Sequence, residues 1–335
     1  MNVLLSVAFV VTWSSGFIGA KLGADSASAV TLLMWRFLPL ALALLAGAAL
    51  ARHIRRRRHP RDRPGGSGRT LSARTVGRQA VIGLLSQSGY LLTVYWAIQL
   101  GVSSGTTALI DGTQPLVAGA LLGPLLGQYV TRSQWLGLLL GLAGVALVTT
   151  ADAHSGTSAE VAWWAYLVPF LGMLSLVAAT FLERRARADV PPMTALTLHS
   201  TVSAVVFSAM ALATGEAVPP ATAEFWTAVT WLVVLSTFGG YGLYWLLLRR
   251  SGVTAVNTLM FLMAPVTAVW GALMFGEPFG LQTAFGLAVV IASVQVVRRG
   301  ETRRPVRPAS TSASASASSF LGELTRARKV MRGGR

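Results

Sequence analysis

Residues 133–150 read SQWLGLLLGLAGVALVTT, eighteen positions without one ionisable side chain. As an α-helix rising about 1.5 Å per residue, such a run covers roughly 27 Å, close to the ~30 Å hydrocarbon thickness of a bilayer. Its apolar residues follow one another without the alternation of a barrel strand, so the run reads as a membrane-crossing helix. A helix also satisfies its own amides and carbonyls where there is no water to do so.

Working outward, nine further runs of similar character appear: Val3–Leu22, Ala27–Leu50, Val76–Ala97, Ser103–Leu122, Val161–Leu182, Met193–Ala213, Phe225–Leu247, Val253–Phe275 and Leu281–Val297. The expected fold is therefore all-α, a polytopic membrane protein with ten transmembrane helices. Composition agrees. Of 335 residues 53% are apolar and only 12% charged, about half the ~25% of a soluble domain. Ala27-Ser28-Ala29 resembles a secretory cleavage site, but no positive charge precedes the first run and nine more spans follow, so it is read as a span.

Several chemistries are excluded. There are no cysteines, which removes disulfides, thiolate nucleophiles and thiolate metal sites. The four histidines have no metal-ligand spacing, and neither a metal nor a cofactor is expected. Gly65-Gly66-Ser67-Gly68 is not followed by the lysine and hydroxyl of a phosphate-binding loop. No paired carboxylates or nucleophile-base couple lies at membrane depth, so the chain does not read as an enzyme.

The net charge of +16 is a topology signal rather than a nucleic-acid signal. With ten spans and a cytoplasmic N-terminus, the loop 51–75 with Arg78 holds ten arginines, and Arg132, Arg184, Arg185, Arg187, Arg249, Arg250 and the tail from Arg298 fall on the same side. Only Lys21 falls opposite, while Arg36 lies inside a span. That asymmetry places both termini in the cytoplasm and predicts contact with anionic lipid heads.

The chain also repeats. Tyr95-Trp96, then Gly101-Val102-Ser103, then Pro115 is answered by Tyr244-Trp245, Gly252-Val253-Thr254 and Pro265. Gly127-Gln128 corresponds to Gly276-Glu277, and Gly137 to Gly286. The unit is five helices, so the second copy enters the membrane from the opposite side, giving two inverted five-helix repeats over 1–150 and 161–298. The remainder, 299–335, is read as a disordered basic cytoplasmic tail. Within it Phe320, Leu324, Ala327 and Met331 share one face of a potential short membrane-surface helix beyond the Ser/Ala run Ala309–Ser319.

Trp13-Ser14-Ser15-Gly16-Phe17, Arg36-Phe37, the Gly-Val-Ser/Thr entries, Pro115, Pro265 and Gly276-Glu277 together resemble the EamA-type branch of the drug/metabolite transporter superfamily. The resemblance covers about residues 1–298. It implies a multi-pass carrier of the bacterial inner membrane, often an efflux protein for amino acids, other metabolites or toxic compounds, with the substrate path between the two halves. Gln128 departs from the family's glutamate, which only Glu277 carries here.

Ionisable groups within hydrocarbon cost about 2.5–3.5 kcal/mol each on insertion scales and usually mark a path. Arg36 and Asp111 both lie roughly 12–14 Å deep, where they are expected to meet at the midplane as substrate or proton groups, or as a structural ion pair. His199 in the seventh span is a candidate proton carrier or a plain interhelical hydrogen-bond partner. Gln114, Trp13 and Tyr90 complete the candidate path. Pro39, Pro115 and Pro265 are expected helix-break positions, since each frees the carbonyl four residues back, on Trp35, Asp111 and Phe261. Tyr95, Trp96, Tyr244 and Trp245 read as interfacial aromatics, and Gly137, Gly141 and Gly144 as a helix-packing face. The expected partners are a small-molecule substrate, membrane lipids and a coupling proton or ion, with a homodimer left open. A channel or lipid translocator shares this architecture, whereas a non-transporting scaffold would not need Arg36 and Asp111.

Overall fold

The computed structural model describes residues 3–58, 71–125, 132–155, 161–186, 190–260 and 262–302. Gly65-Gly66-Ser67-Gly68, Gln128 and the tail beyond Thr302 lie outside them. The helices are α1 (Val3–Ala24), α2 (Ala29–Arg58), α3 (Ala73–Gly83), α4 (Tyr90–Gln99), α5 (Ser104–Gly112), α6 (Gln114–Leu125), α7 (Arg132–Ala153), α8 (Val168–Ala186), α9 (Pro192–Thr214), α10 (Ala223–Trp231), α11 (Gly242–Met260), α12 (Met263–Phe275) and α13 (Leu281–Thr302). Wide π-helical turns join α3 to α4 (Leu84–Gly89) and α10 to α11 (Leu232–Tyr241), and a 3-10 turn (Trp163–Leu167) leads into α8.

Merged where they abut, these elements include, among the described residues, seven helical stretches long and apolar enough to cross a membrane. Two shorter apolar helices, Met263–Phe275 and Leu281–Ser293, accompany them. The chain is thus an all-helical polytopic membrane protein. Its outward residues fit: Leu42, Leu139, Leu171, Val205, Leu273 and Phe285 are all exposed, as lipid-facing side chains are.

Helix ends follow local chemistry. Ser72, Ser103 and Thr222 accept from the amides of Thr75, Thr106 and Phe225 and so start α3, α5 and α10. Gly215 (φ 75°) and Gly276 (φ 66°) end α9 and α12 in the left-handed conformation that glycine adopts without penalty. α2 continues to Arg58, so residues 51–58 of the expected basic loop are helical.

The pairing of helices is the same when the two halves are exchanged. α1 runs antiparallel to α10 and α11: Gly23 faces Ala228, Gly19 faces Leu232 and Phe9 faces Tyr244. α4 pairs likewise with α8, where Gly172 faces Thr93 and Trp96 faces Trp164. α2 packs on α9 through the stacked Phe37 and Phe207 rings, 5.9 Å apart. α5 crosses α12 antiparallel, with Gly105 against Ala268 and Gly112 near Ala264. α7 meets α13, where Gly144 and Gly286 each face the other's carbonyl. Gly141 and Gly144 therefore serve the close approach read from their spacing.

Two expected boundaries differ. Helical backbone covers Gly242–Met260 and so runs through the expected loop at 248–252. It is not one straight rod. Tyr244 packs on Trp13, while the neighbouring Ser14 donates to the Met263 carbonyl at 3.3 Å. Nineteen straight helical residues would separate those contacts by roughly 28 Å, so the chain doubles back between them. Pro39 does not break α2, which is continuous across it. Its ring points outward and one lost hydrogen bond is outweighed by the buried Phe37, Leu40 and Ala41 around it.

The α5–α12 crossing gives a direct test. A Cβ at Gly105 would lie 2.8 Å from both Cα and Cβ of Ala268, and backbone cannot step aside as a flexible side chain can. Gly105→Val is expected to cost about 1–3 kcal/mol by overpacking. The check is a lower midpoint of thermal unfolding in detergent, with Gly47→Val, which meets nothing within 4 Å, as the neutral control.

Candidate functional site

Arg36 is 3% exposed in the middle of α2. Its Nη1 donates to the Tyr95 hydroxyl at 2.5 Å, and Nη2 donates to Ser236 Oγ and Thr237 Oγ1 at 3.2 Å each. The guanidinium carbon sits 5.2 Å from the Phe37 ring centroid and 6.0 Å from that of Tyr95. Its Nε is buried without a partner. Every one of these partners is neutral, so the positive charge is held by dipoles and aromatic faces and is not cancelled.

Asp111 stands near the end of α5. Its Oδ2 accepts from the Tyr90 hydroxyl at 2.8 Å, and its Oδ1 is buried without a partner. The helix breaks directly after it: Thr113 closes α5 with a bond from its amide to the Ile110 carbonyl, and α6 restarts at Gln114. Pro115 is the second residue of α6, and Pro265 the third of α12, whose start likewise follows a break. Proline tolerates these first-turn positions because its missing amide hydrogen has no helical acceptor there.

Arg36 and Asp111 do not form the expected pair. Among the described residues no ion pair joins them. Tyr90 and Tyr95 of α4 hold one each, and five helical residues separate those tyrosines by about 7 Å along the axis. Tyr90 is also close to Tyr241, whose hydroxyl accepts from Gln87 Nε2 at 3.3 Å. Trp13 packs against Phe9, Tyr241 and Tyr244 with ring centroids 5.5–5.8 Å apart. Gln114 is half-buried just beyond the break. A cation, an anion and an aromatic shelf thus share one middle layer of the bundle.

His199 belongs elsewhere. Its Nε2 pairs with Gln79 Oε1 at 2.8 Å, and Gln79 lies eleven residues before Tyr90, roughly 16 Å along the helix.

The π-helical turns bring in residues that the sequence did not single out. Ser236 and Thr237 sit in the second turn, Gln87 and Ser88 in the first. Both dipeptides precede their Tyr-Trp pair by the same spacing, a signal that the repeat itself carried. Wide turns free carbonyls, which nearby hydroxyls cover: Thr237 donates to Leu232 at 3.0 Å and Ser175 to Leu85 at 2.8 Å. Tyr95 and Tyr244 are corrected from interfacial anchors to interior groups, because the helix face and not the distance to the span end decides where a ring points. Trp96, 47% exposed, keeps the interfacial reading, and the Trp245 side chain lies outside the described residues.

The model of the EamA-like transporter family matches the chain twice, over residues 1–150 and 163–299. The chain belongs to the EamA-like transporter family. It is a multi-pass membrane transporter and not an enzyme. Similar proteins include the uncharacterized inner membrane transporter YedA of Escherichia coli K12, 24% identical over 90% of this chain and 92% of its own. A probable terminal-alkyne amino-acid exporter of Streptantibioticus cattleyicolor is 26% identical over 87% of this chain and 91% of its own. One solved crystal structure superposes with a TM-score of 0.58 at 17% identity, covering 91% of this chain and 98% of that one, which shows the fold.

Proposed function

We propose that this EamA-family protein is a secondary carrier that exports a small zwitterionic or charged metabolite, amino-acid-like in its polar groups, across the bacterial inner membrane by alternating access. In this reading ten helices span the membrane as two inverted five-helix repeats, with both termini in the cytoplasm and the substrate between the halves. One observation carries it: Asp111 and Arg36 sit inside the helical bundle, each held by neutral hydroxyls and neither cancelling the other. A substrate amine would meet Asp111 Oδ1, and a carboxylate would meet Arg36. Such complementarity repays buried charge that otherwise only costs insertion free energy. The helix break at Thr113 and the matching break before Pro265 supply the non-helical backbone found where transporters line a path. The name of the Streptantibioticus cattleyicolor relative, an amino-acid exporter, points the same way.

The direct test is flux. Proteoliposomes loaded with labelled amino acids or a metabolite extract should release selected solutes faster than empty liposomes, with and without an imposed proton gradient. Equal leakage of solutes irrespective of charge and size would favour a channel.

Orientation has its own test. The cysteine-free chain accepts single probes. A cysteine replacing Val218, 82% exposed, is expected to react in intact cells with an impermeant thiol reagent, and one replacing the exposed Arg185 only after lysis. The reverse pattern would invert the topology.

A further inference from the structure

His199 and Gln79 lie in a seam between α3 and α9, away from the Arg36–Asp111 layer. α3 belongs to the first of the two segments that the family model matches and α9 to the second, so the seam joins the two halves. It lies at the end of the bundle to which Arg185 of α8 belongs. The backbones come close there: a Cβ on Gly83 would stand 2.9 Å from His199 Cα and 3.0 Å from its Cδ2.

A seam this tight inside a membrane bundle should be apolar, and this one is not. Gln79 and Ser200 are both 0% exposed. Gln79 Oε1 pairs with His199 Nε2, but Gln79 Nε2 and Ser200 Oγ have no partner among the described residues, and Arg78 Nε is likewise buried and unpaired. Further in, the Ser88 and Ser203 hydroxyls pair at 3.1 Å, and Ser203 donates to Gln87 Oε1 at 3.4 Å. Gln87 Nε2 then donates to the hydroxyl of Tyr241, which is close to the Tyr90 that holds Asp111. A row of polar side chains thus leads from Gln79 towards Asp111.

The opposite end, where α9 finishes, is built differently. Ala228 stands to Gln79 at the same spacing as Tyr244 to Tyr95. There α10 meets α2: Phe225, Ala228 and Val229 share one apolar cluster with Leu32 and Leu33, and the Trp35 and Trp226 rings meet edge-on at 5.4 Å. Among the described residues, no unpaired buried polar atom lies on α10 or on residues 29–35 of α2. A buried donor without an acceptor burdens the closed seam with its desolvation cost, and water repays that cost as soon as the seam parts. Apolar contact at the other end is simply lost on parting.

We infer that the α3–α9 seam opens and closes, and that it is the route by which water and solute reach Asp111 from the arginine-rich end. For solute this rests on the carrier reading; opening itself is readable without any solute. Gln79, His199 and Ser200 line the parted seam, and Gly83 is the point at which the closed halves touch.

Ser200→Cys in the otherwise cysteine-free full-length chain reports the opening. The probe is (2-trimethylammonioethyl) methanethiosulfonate, a fixed cation that modifies only a thiol that water reaches. In nanodiscs the purified Ser200→Cys protein should be modified. Adding Gln79→Leu with His199→Leu, which makes the seam apolar, should slow modification about tenfold or more by depopulating the open state. Adding Gly83→Ala instead, whose methyl group meets the His199 backbone, should speed it, and this variant carries the test if the double leucine variant does not fold. In membrane vesicles the reagent should reach Ser200→Cys from the side on which it reaches Arg185→Cys. An unmodified Ser200→Cys, a folded double leucine variant that is no slower, a Gly83→Ala that is no faster, or modification from the opposite side overturns the route. Absent flux with this labelling pattern intact would strike the carrier reading and leave the opening seam standing.

Discussion

Asp111→Asn is expected to leave the protein in the membrane at wild-type level while reducing transport by an order of magnitude or more. The amide keeps the shape of the side chain, and its oxygen still accepts from Tyr90, so the single hydrogen bond that positions Asp111 survives. What disappears is the negative charge at Oδ1, the atom without a partner. A charge-assisted hydrogen bond to a substrate ammonium is worth about twice a neutral one, and at membrane depth its loss is not softened by water. Tyr90→Phe should fall between the two, because it keeps the charge but frees the carboxylate to turn. The measurement is substrate flux in proteoliposomes at matched protein content. Wild-type flux in Asp111→Asn would remove Asp111 from the mechanism. The charge exchange Arg36→Asp with Asp111→Arg separates this role from a structural pair: it should stay inactive, since position 36 is surrounded by three hydroxyls and position 111 by one.

Arg36→Lys is expected to abolish most transport although the charge is retained. The planar guanidinium spreads its donors over Tyr95 on one side and Ser236 and Thr237 on the other, tying α2 to α4 and to the π-helical turn at once. A lysine ammonium is a single point on a flexible stem and cannot hold that fork, nor lie flat against Phe37. Tyr95→Phe removes one partner and leaves a buried cation short of an acceptor, a loss of about 1–3 kcal/mol. Thermal unfolding in detergent should therefore fall for Tyr95→Phe, while Arg36→Lys should lose more flux than stability. Equal flux in Arg36→Lys and wild type would show that charge alone matters there.

The substitutions that matter were only partly readable beforehand. Arg36 and Asp111 stand out in any reading because hydrocarbon makes charge conspicuous. Their partners do not, since Tyr95, Ser236 and Thr237 are ordinary residues in apolar runs and a hydroxyl at depth is cheap. Gln79 was concealed differently. Near the start of a span it looks like a surface residue, and only the packing of α3 on α9 buries it.

By itself the sequence determined that the chain is a helical membrane protein of the transporter kind, and it carried the expectation of a duplicated five-helix unit with Arg36 and Asp111 inside spans. These are one-dimensional quantities: the length of an apolar run against a fixed thickness, the count of arginines on alternate loops, the spacing of Tyr-Trp, Gly-Val and Pro. Which charge faces which group is not one-dimensional. That Tyr90 takes Asp111 while Tyr95 takes Arg36, that His199 turns to Gln79, and that Glu277 caps a helix 173 residues away depend on helix rotation and crossing. A helix turns about 100° per residue, so an error of one residue in phase sends a side chain from the interior to the lipid, and only the packed bundle fixes that phase.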